Sequence, residues 1–408
     1  MPLCIRLLHM DICEVCGQFL DSIQLELGEH PLPEDFNKIG TTKTSKLYNQ
    51  TVSLCSNCLT AHQKTKVARD ILFPKNYHYR ANLTKDVIYG MNDLVNSILK
   101  DFKFLDPKIL DIGCNDGSLL KIFKNSIECK TIGIDPTDAI LEANEKIDFP
   151  IQGFFDDITS ENILNEFGKL DIITFTNVFA HIENLQGLLK SLKKLMHSQT
   201  ALVVENHYLG SILNTNQFDT FYLEHPRTYS LNSFLEISKI LGLFIVKVEF
   251  PGRYGGNIRV VMTGVDNGLD ITTLIAEERL FFQKKFANLQ NVFDEWRIAS
   301  INELPNLGQF FAGKSLPARA VMLISSLNLN EKLMPVVYEQ DLSPKVGNYV
   351  PGTSIEIRAD SEIGSNEYQD LIIWSWHISD EIVKYMKTTN FKGNIWAPLP
   401  ILRKIATL

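Results

Sequence analysis

The sequence predicts a multidomain α/β protein built around a doubly wound, Rossmann-like parallel sheet, and three observations point to it. Short apolar strands alternate with helix-patterned segments from residue 108 to about residue 205. Asp111-Ile112-Gly113-Cys114-Asn115-Asp116-Gly117 reads as a strand-to-helix turn, and Asp135 ends the next apolar strand. A second set of strand and helix patterns fills the C-terminal third of the chain.

A length of 408 residues, 45% hydrophobic and 22% charged, accommodates two or three domains at about 100–200 residues each. The formal charge of -8 and a pI near 5.7 argue against a surface dedicated to polymeric nucleic acid. Apolar runs such as 201–204 and 371–374 are strand-sized, far short of the roughly 20 residues that span a bilayer, so no membrane segment is expected. The apolar stretch 3–10 is interrupted by Arg6 and runs directly into Cys13, which leaves no signal-peptide core or cleavage site. A cytoplasmic location follows, with residues 1–9 read as an extension upstream of the folded part.

Residues 11 to about 80 hold Cys13-x-x-Cys16 and Cys55-x-x-Cys58, separated by a polar stretch with Pro31, Pro33 and Gly40 that reads as loop-rich. In a reducing compartment, doubled Cys-x-x-Cys units read as metal ligands before disulfides, and four thiolates close a structural zinc tetrahedron. Cys4, Cys114 and Cys129 stand alone. His62 could replace one of the four ligands, but it lies outside the paired spacing and reads rather as a surface or otherwise satisfied histidine.

Val87, Met91, Leu94, Val95 and Ile98 share one helical face and lead into the central domain. There the pattern predicts strand 108–112, helix 117–124, strand 131–135, helix 138–146 and strand 151–155. Strand 170–175, helix 185–196 and strand 201–205 follow. Ser230 is placed to cap a helix through 241, ahead of strands 243–250 and 258–262. After the turn-like 264–268, an amphipathic segment 272–296 opens a third domain with candidate strands 309–312, 335–339, 354–357 and 371–376. The expected division is 1–80, 81–250 and 251–408.

The 111–117 turn combines small residues, which admit a ligand close to the backbone, with a helix N-terminus that exposes unsatisfied N–H groups. Asp111, Gly113, Asn115, Asp116 and Gly117 are therefore cofactor candidates, and Asp135 is placed to accept both hydroxyls of a ribose. This geometry alone leaves NAD and S-adenosylmethionine open. The missing third glycine and the position of Asp111 within the strand end favour the methyl donor. Phe154, Phe155 and Asp156 either flank an adenine or, for the aromatics, pack in the core. Asn177-Val178-Phe179-Ala180-His181 runs along the carboxyl edge of the sheet, which makes Asn177 and His181 site candidates. Tyr222, Glu224 and His225 crowd into four positions beyond a strand and form the most reactive-looking loop.

Gly308-Gln309-Phe310-Phe311-Ala312-Gly313-Lys314-Ser315 satisfies a P-loop pattern, but the preceding Asn302-Glu303-Leu304-Pro305-Asn306 is too polar for the strand that a P-loop requires.

Together the two Cys pairs, the 111–117 turn, Phe218-Asp219-Thr220 and Tyr222-x-Glu224-His225 resemble the nucleotide-sugar C-methyltransferase family, with the likeness spanning nearly the whole chain. Tyr77-x-Tyr79, Gly255-Gly256-Asn257-Ile258-Arg259-Val260, Asp341-x-x-Pro344-Lys345 and Trp374-Ser375-Trp376 add to it. Leu223, Thr228 and the 312–319 turn depart from the family pattern.

The resemblance implies a zinc-binding module, a class I methyltransferase domain and a C-terminal Rossmann-like domain that helps hold a nucleotide-linked keto sugar. It implies methylation, by S-adenosylmethionine, of a carbon beside the ketone of a 4-keto-deoxysugar through an enolate. His225 would be the base, with Glu224 orienting it or stabilising its cationic form. Tyr222, Tyr79 and His181 would bond the sugar or enolate oxygen, and Arg253, Arg259 and Lys345 would each be either a phosphate partner or a solvated surface charge. Methyl transfer to oxygen or nitrogen, and a non-catalytic cofactor-binding protein, remain alternatives. Oligomeric state is not readable from the sequence.

Overall fold

The computed structural model describes residues 11–408 apart from Ser22, Lys43, Thr84, Ser365 and Asn366. The upstream extension expected over 1–9, and Cys4 within it, lie outside the described residues.

The central sheet has seven strands. From one edge they run Phe149–Gln152, Lys130–Asp135, Lys108–Ile112, Leu170–Thr176, Met196–His207, Asn257–Thr263 and Phe244–Glu249. The first five are parallel, and the inner four carry runs buried on both faces, at 109–112, 131–135, 172–175 and 200–206, whereas the edge strand Phe149–Gln152 is only half-buried. The last two, beyond the parallel run expected over 108–205, pair antiparallel: Asn257–Thr263 runs against both Met196–His207 and Phe244–Glu249. Their connection, from Glu249 to Asn257, is too short for the crossover that a parallel return needs.

Several boundaries moved: the strand expected at 201–205 runs Met196–His207, and the one expected at 309–312 is Ala312–Lys314. Residues 138–146 form a 3-10 turn at Asp138–Ala143 in place of the expected helix. The third strand ends at Gln152, so Phe154 and Phe155 belong to the loop beyond it. Ser230 caps the helix Leu231–Leu241 as expected, accepting from the Ser233 N–H while the Ser233 hydroxyl accepts from the Ser230 N–H.

The cysteine-bearing module is less loop-rich than its composition suggested. Gln24–Pro31 and Leu47–Leu54 are eight-residue antiparallel strands. Leu25 and Leu27 face inward at period two, and the polar residues between them face out. The sheet continues through Ala61–Gln63 to Arg227–Thr228, a strand that follows directly on the reactive loop.

The C-terminal sheet has five parallel strands at its centre: Asn394–Ala397, Asp370–Ile373, Ala312–Lys314, Val336–Glu339 and Glu356–Ala359. Asn394–Ala397 was not expected, nor was Arg403–Thr407, which pairs antiparallel beside it. At the other edge Asn348–Tyr349 pairs with Asn37–Lys38 of the cysteine module. Ala312–Lys314 forms a strand where a P-loop would need a loop, and Lys314 is buried against Asp360 at 2.8 Å. This agrees with the sequence argument against a nucleoside-triphosphate site.

One helix ties the three sheets together. Thr272–Glu303 extends beyond the expected 296 to 32 residues, about 48 Å long. Phe282, Phe286, Leu289, Phe293 and Trp296 recur every three or four residues and share a core with Leu25, Leu27, Leu209 and Trp374. Glu278 on the same helix is buried, yet it accepts from the Tyr208 hydroxyl and from the N–H groups of Leu231 and Asn232 at 2.7–2.8 Å. No helix among the described residues is long and apolar enough to cross a membrane.

Candidate active site and metal centre

The carboxyl ends of the central parallel strands open into a cavity of about 1000 Å³, walled also by residues of the cysteine module and the C-terminal sheet. Asp111, Gly113, Asn115, Asp135, Phe155 and Asn177 line it, as do Tyr79, His181, Tyr222, Glu224 and His225.

At the cofactor end, Gly113 has φ +74, and an added Cβ would sit 2.5 Å from Val178, so only glycine fits the turn. Asn115, also at positive φ, uses its side chain to hold the 79–81 segment: Oδ1 accepts from the Ala81 N–H at 3.0 Å and Nδ2 donates to the Tyr79 carbonyl at 3.2 Å. Asp135 accepts from the Asn115 N–H at 3.0 Å, the Thr137 N–H at 2.8 Å and the Thr137 hydroxyl at 2.5 Å. A carboxylate has about four acceptor positions, so one remains for a ligand; taking a second hydroxyl requires Thr137 to turn away. Burial raises the Asp135 carboxyl, partly offset by these bonds. Burial also pushes Asp111 up to about 7, against the hydrogen bond from the Thr174 hydroxyl.

Asp116 and Gly117 were cofactor candidates, but the structure turns them away from the cavity. Asp116 accepts from Lys146 at 3.0 Å and from the Ser118 N–H at 3.2 Å, and Gly117 packs on Ala143 and Ile147. They shape the turn from behind. Arg259 is likewise occupied: its three nitrogens bond Glu205, Glu249 and Asp93, each at 2.8 Å, so it is not a phosphate ligand.

At the reactive end, the His225 Nδ1–H donates to the Thr220 carbonyl at 3.0 Å. That bond sets the tautomer and leaves Nε2 as a bare acceptor. Its ring lies 4.2 Å from Tyr222, 4.8 Å from His181 and 5.2 Å from His207, centroid to centroid. Burial, with His181 and His207 alongside, holds His225 well below the usual imidazole range. Desolvation also lowers His181, to about 4, although its Nδ1–H donates to the Glu224 carbonyl at 2.7 Å.

The expectation that Glu224 orients His225 needs correction, because the Thr220 carbonyl does so. The Glu224 carboxyl instead accepts from the Tyr77 hydroxyl at 3.1 Å. Burial, with Glu34 nearby, pushes it up to about 8 despite that bond. At neutral pH this loop therefore offers a neutral imidazole and a neutral carboxylic acid.

Sequence reasoning missed four lining groups. His207 ends a strand at the same carboxyl edge that singled out His181, so a signal existed. Tyr254, His377 and Arg319 had none, because tertiary folding alone brings them in. Arg319 grips Asp219 through Nε at 2.7 Å and Nη2 at 2.6 Å, while Trp376 donates to the same carboxylate at 2.8 Å. The Phe218-Asp219-Thr220 motif is thereby clamped to the C-terminal sheet.

The metal candidates come together beside this loop. The sulfurs of Cys13, Cys16, Cys55 and Cys58 all lie within 4.8 Å of one another, with Cys13–Cys58 at 3.4 Å and Cys16–Cys55 at 3.5 Å. Zn–S bonds of about 2.3 Å give sulfur–sulfur edges of about 3.8 Å in a tetrahedron, so the donor set fits zinc and leaves no open position. His62 is buried rather than superficial, with Nε2 3.2 Å from Cys13 Sγ. The cluster also holds the reactive loop. Glu14, between two of the cysteines, pairs with buried Arg227, and the Cys58 carbonyl accepts from the hydroxyls of Ser230 and Ser233.

Comparison with known proteins adds to this geometry. The family model for a methyltransferase domain matches residues 81–248, and the model for a C-methyltransferase C-terminal domain matches residues 253–400. The C-methyltransferase NovU of Streptomyces niveus is 24% identical over 416 residues, covering 97% of each chain. Solved structures match part of the chain, two methyltransferases among them. Magnesium protoporphyrin IX methyltransferase of Synechocystis, with bound SAH, is 15% identical over 44% of this chain and 83% of its own, at a TM-score of 0.34. A SAM-dependent methyltransferase from Archaeoglobus fulgidus is 19% identical over 43% of this chain and 94% of its own, at a TM-score of 0.34.

Proposed function

The chain belongs to the S-adenosylmethionine-dependent C-methyltransferases, and on that premise we propose that its acceptor is a nucleotide-linked 4-keto-deoxysugar, methylated beside the ketone through an enolate. The observation that carries this reading is the bare Nε2 of His225, held neutral and facing a cavity that also contains the cofactor turn.

A carbon next to a ketone becomes nucleophilic only on losing its proton. His225 Nε2 takes that proton, and the electron pair moves onto the ketone oxygen. The neutral Glu224 acid and the Tyr222 hydroxyl, held protonated by burial, are donors for the developing oxyanion, with Tyr79 in the same wall; His181, neutral and with its Nδ1–H on the Glu224 carbonyl, presents a bare Nε2 and is not such a donor. Bound S-adenosylmethionine supplies an electrophilic methyl group on a sulfonium. What the chain contributes to the transfer is placement of the carbon in line with that group. The environment that disfavours a charged His225 then returns the proton to solvent.

The remaining assignments support this reading. We assign zinc to the four cysteines as a structural ion that fixes the loop bearing His225, and a cytoplasmic location in which those thiols stay reduced. We assign the metal to residues 1–80, the cofactor to 81–250 together with the stretch through the strand Asn257–Thr263 that completes its sheet, and the nucleotide to the rest of 251–408. Lys345 and Glu339 lie at the C-terminal side of the cavity, suited to phosphate and ribose hydroxyls respectively.

The test is mass-spectrometric screening of the purified protein with S-adenosylmethionine against dTDP-, GDP- and CDP-linked 4-keto-deoxysugars. A gain of one methyl, with enzyme-dependent deuterium wash-in at the adjacent carbon, is expected. Methylation without any such exchange would move the acceptor atom to oxygen or nitrogen.

A further inference from the structure

Arg253 is the one cavity-lining residue whose guanidinium is buried with most of its donors unused among the described residues. It is 8% exposed, and only Nη1 is engaged, donating to Glu205 at 3.2 Å. Nε and Nη2 have no hydrogen-bond partner. These two nitrogens form the side-on fork of the guanidinium, the edge that grips a planar carboxylate through two parallel bonds. Arg319 shows the same fork in use, on Asp219.

The fork is built in. Gly90, in the middle of the helix Lys85–Asp101, is a poor helix former, and a Cβ there would sit 2.1 Å from Arg253 Cδ. The glycine makes room for the arginine to lie against the helix. Behind Arg253 the backbone takes three successive positive φ values at Tyr254, Gly255 and Gly256, unusual for a tyrosine. The Arg319 Nη1 donor to the Tyr254 carbonyl and the Gln217 donor to the Gly255 carbonyl hold that turn. Leaving two buried cationic donors unpaired is costly unless a ligand completes them.

We propose that Arg253 receives the carboxylate of the methionyl moiety of S-adenosylmethionine. The position favours this anion over a sugar diphosphate. Arg253 shares Glu205 Oε1 with Asn257, whose amide also donates to Asn177 at the end of strand Leu170–Thr176. Val87 and Met91, from the helix that carries Gly90, line the same wall. These elements belong to the cofactor half of the cavity, whereas Lys345 and Glu339 stand on the C-terminal side. The inference rests on the methyltransferase assignment and is independent of which sugar is methylated.

Calorimetry with two ligands isolates the contact: S-adenosylhomocysteine, and its decarboxylated analogue, which keeps the thioether and amine. The wild-type protein should prefer the carboxylate-bearing ligand by tenfold or more. Arg253→Met should lose that preference while binding the decarboxylated analogue within about twofold of wild type. Gly90→Ala, which keeps the charge but displaces the guanidinium, should erode the preference in the same direction and decides the matter if Arg253→Met fails to fold. An undiminished preference in a folded Arg253→Met, or a loss confined to binding of thymidine diphosphate, would overturn the assignment.

Discussion

Glu224→Gln separates charge from shape at the most strongly perturbed acid of the reactive loop. The carboxyl is 1% exposed and accepts from Tyr77. Burial lifts it from an ordinary 4.5 to about 8. Below pH 4.5 the carboxyl is neutral in both folded and unfolded chains, and its contribution to stability is fully present. Between 4.5 and about 8 the unfolded carboxyl ionises while the folded one does not, so stability falls as pH rises; above about 8 the loss levels off. At pH 7 the 2.5 pH units above 4.5 correspond to roughly 3 kcal/mol, which a glutamine does not lose. Gln also keeps an acceptor for Tyr77 and an N–H donor for an enolate oxygen. Thermal melts should therefore show Glu224→Gln gaining on wild type as pH rises from 5 to 8. The wild-type rate of substrate deuterium wash-in should fall above about pH 8, whereas the variant's should not. Parallel melting curves for the two proteins, or the same alkaline limb in both, would refute a neutral Glu224.

Four further outcomes are expected. His225→Asn should keep the fold and S-adenosylmethionine affinity yet lose deuterium exchange and methylation together by about 10²–10⁴-fold; wild-type exchange in that variant would pass the base role to His181 or Tyr222. Because the wild-type His225 and His181 are held below the usual imidazole range, the acid limb of the exchange rate should lie well under pH 6.5, and a limb centred on 6.5 would show an ordinary histidine to be responsible. Asp135→Ala should weaken cofactor binding by about 1.5–3 kcal/mol by calorimetry, the scale of one charge-assisted bond at its remaining acceptor position. Cys55→Ser should lower zinc content below one ion per chain and cut deuterium exchange, because Glu14 and the Cys58 carbonyl brace the loop bearing His225; full exchange in a zinc-free protein would uncouple the two.

What could be read in advance was whatever depends on neighbours along the chain. The apolar runs at 108–112, 131–135 and 170–175 are buried strands because continuous Ile/Leu/Val surface must be covered on both faces. The tight strand-to-helix turn appears as Gly113, and the cap of the helix Leu231–Leu241 as Ser230. The paired cysteine spacing, which sets two thiolates on one turn, is equally local. Elements with weak local signals were missed or misplaced. The strands Gln24–Pro31 and Leu47–Leu54 are half polar, and Asn394–Ala397 is four residues long, so each is stable only as part of a sheet that the sequence does not display.

The chemistry of the site was decided at the tertiary level. The sequence by itself placed Tyr222, Glu224 and His225 in one reactive loop, but which of them is oriented by what depends on where the loop is pressed. Thr220, five residues before His225, takes its Nδ1 proton because the 218–220 turn folds back. Glu224 is held as an acid because burial, with Glu34 far away in sequence beside it, outweighs the hydrogen bond from Tyr77. Arg259 and Arg253 look alike as cations in a string of residues. Three acidic partners consume the first, and one glycine in a distant helix leaves the second open. Hydrogen bonding and desolvation act through space, over groups separated by up to hundreds of residues, so composition and spacing name the candidate groups and only the packed fold sets their protonation and free valences.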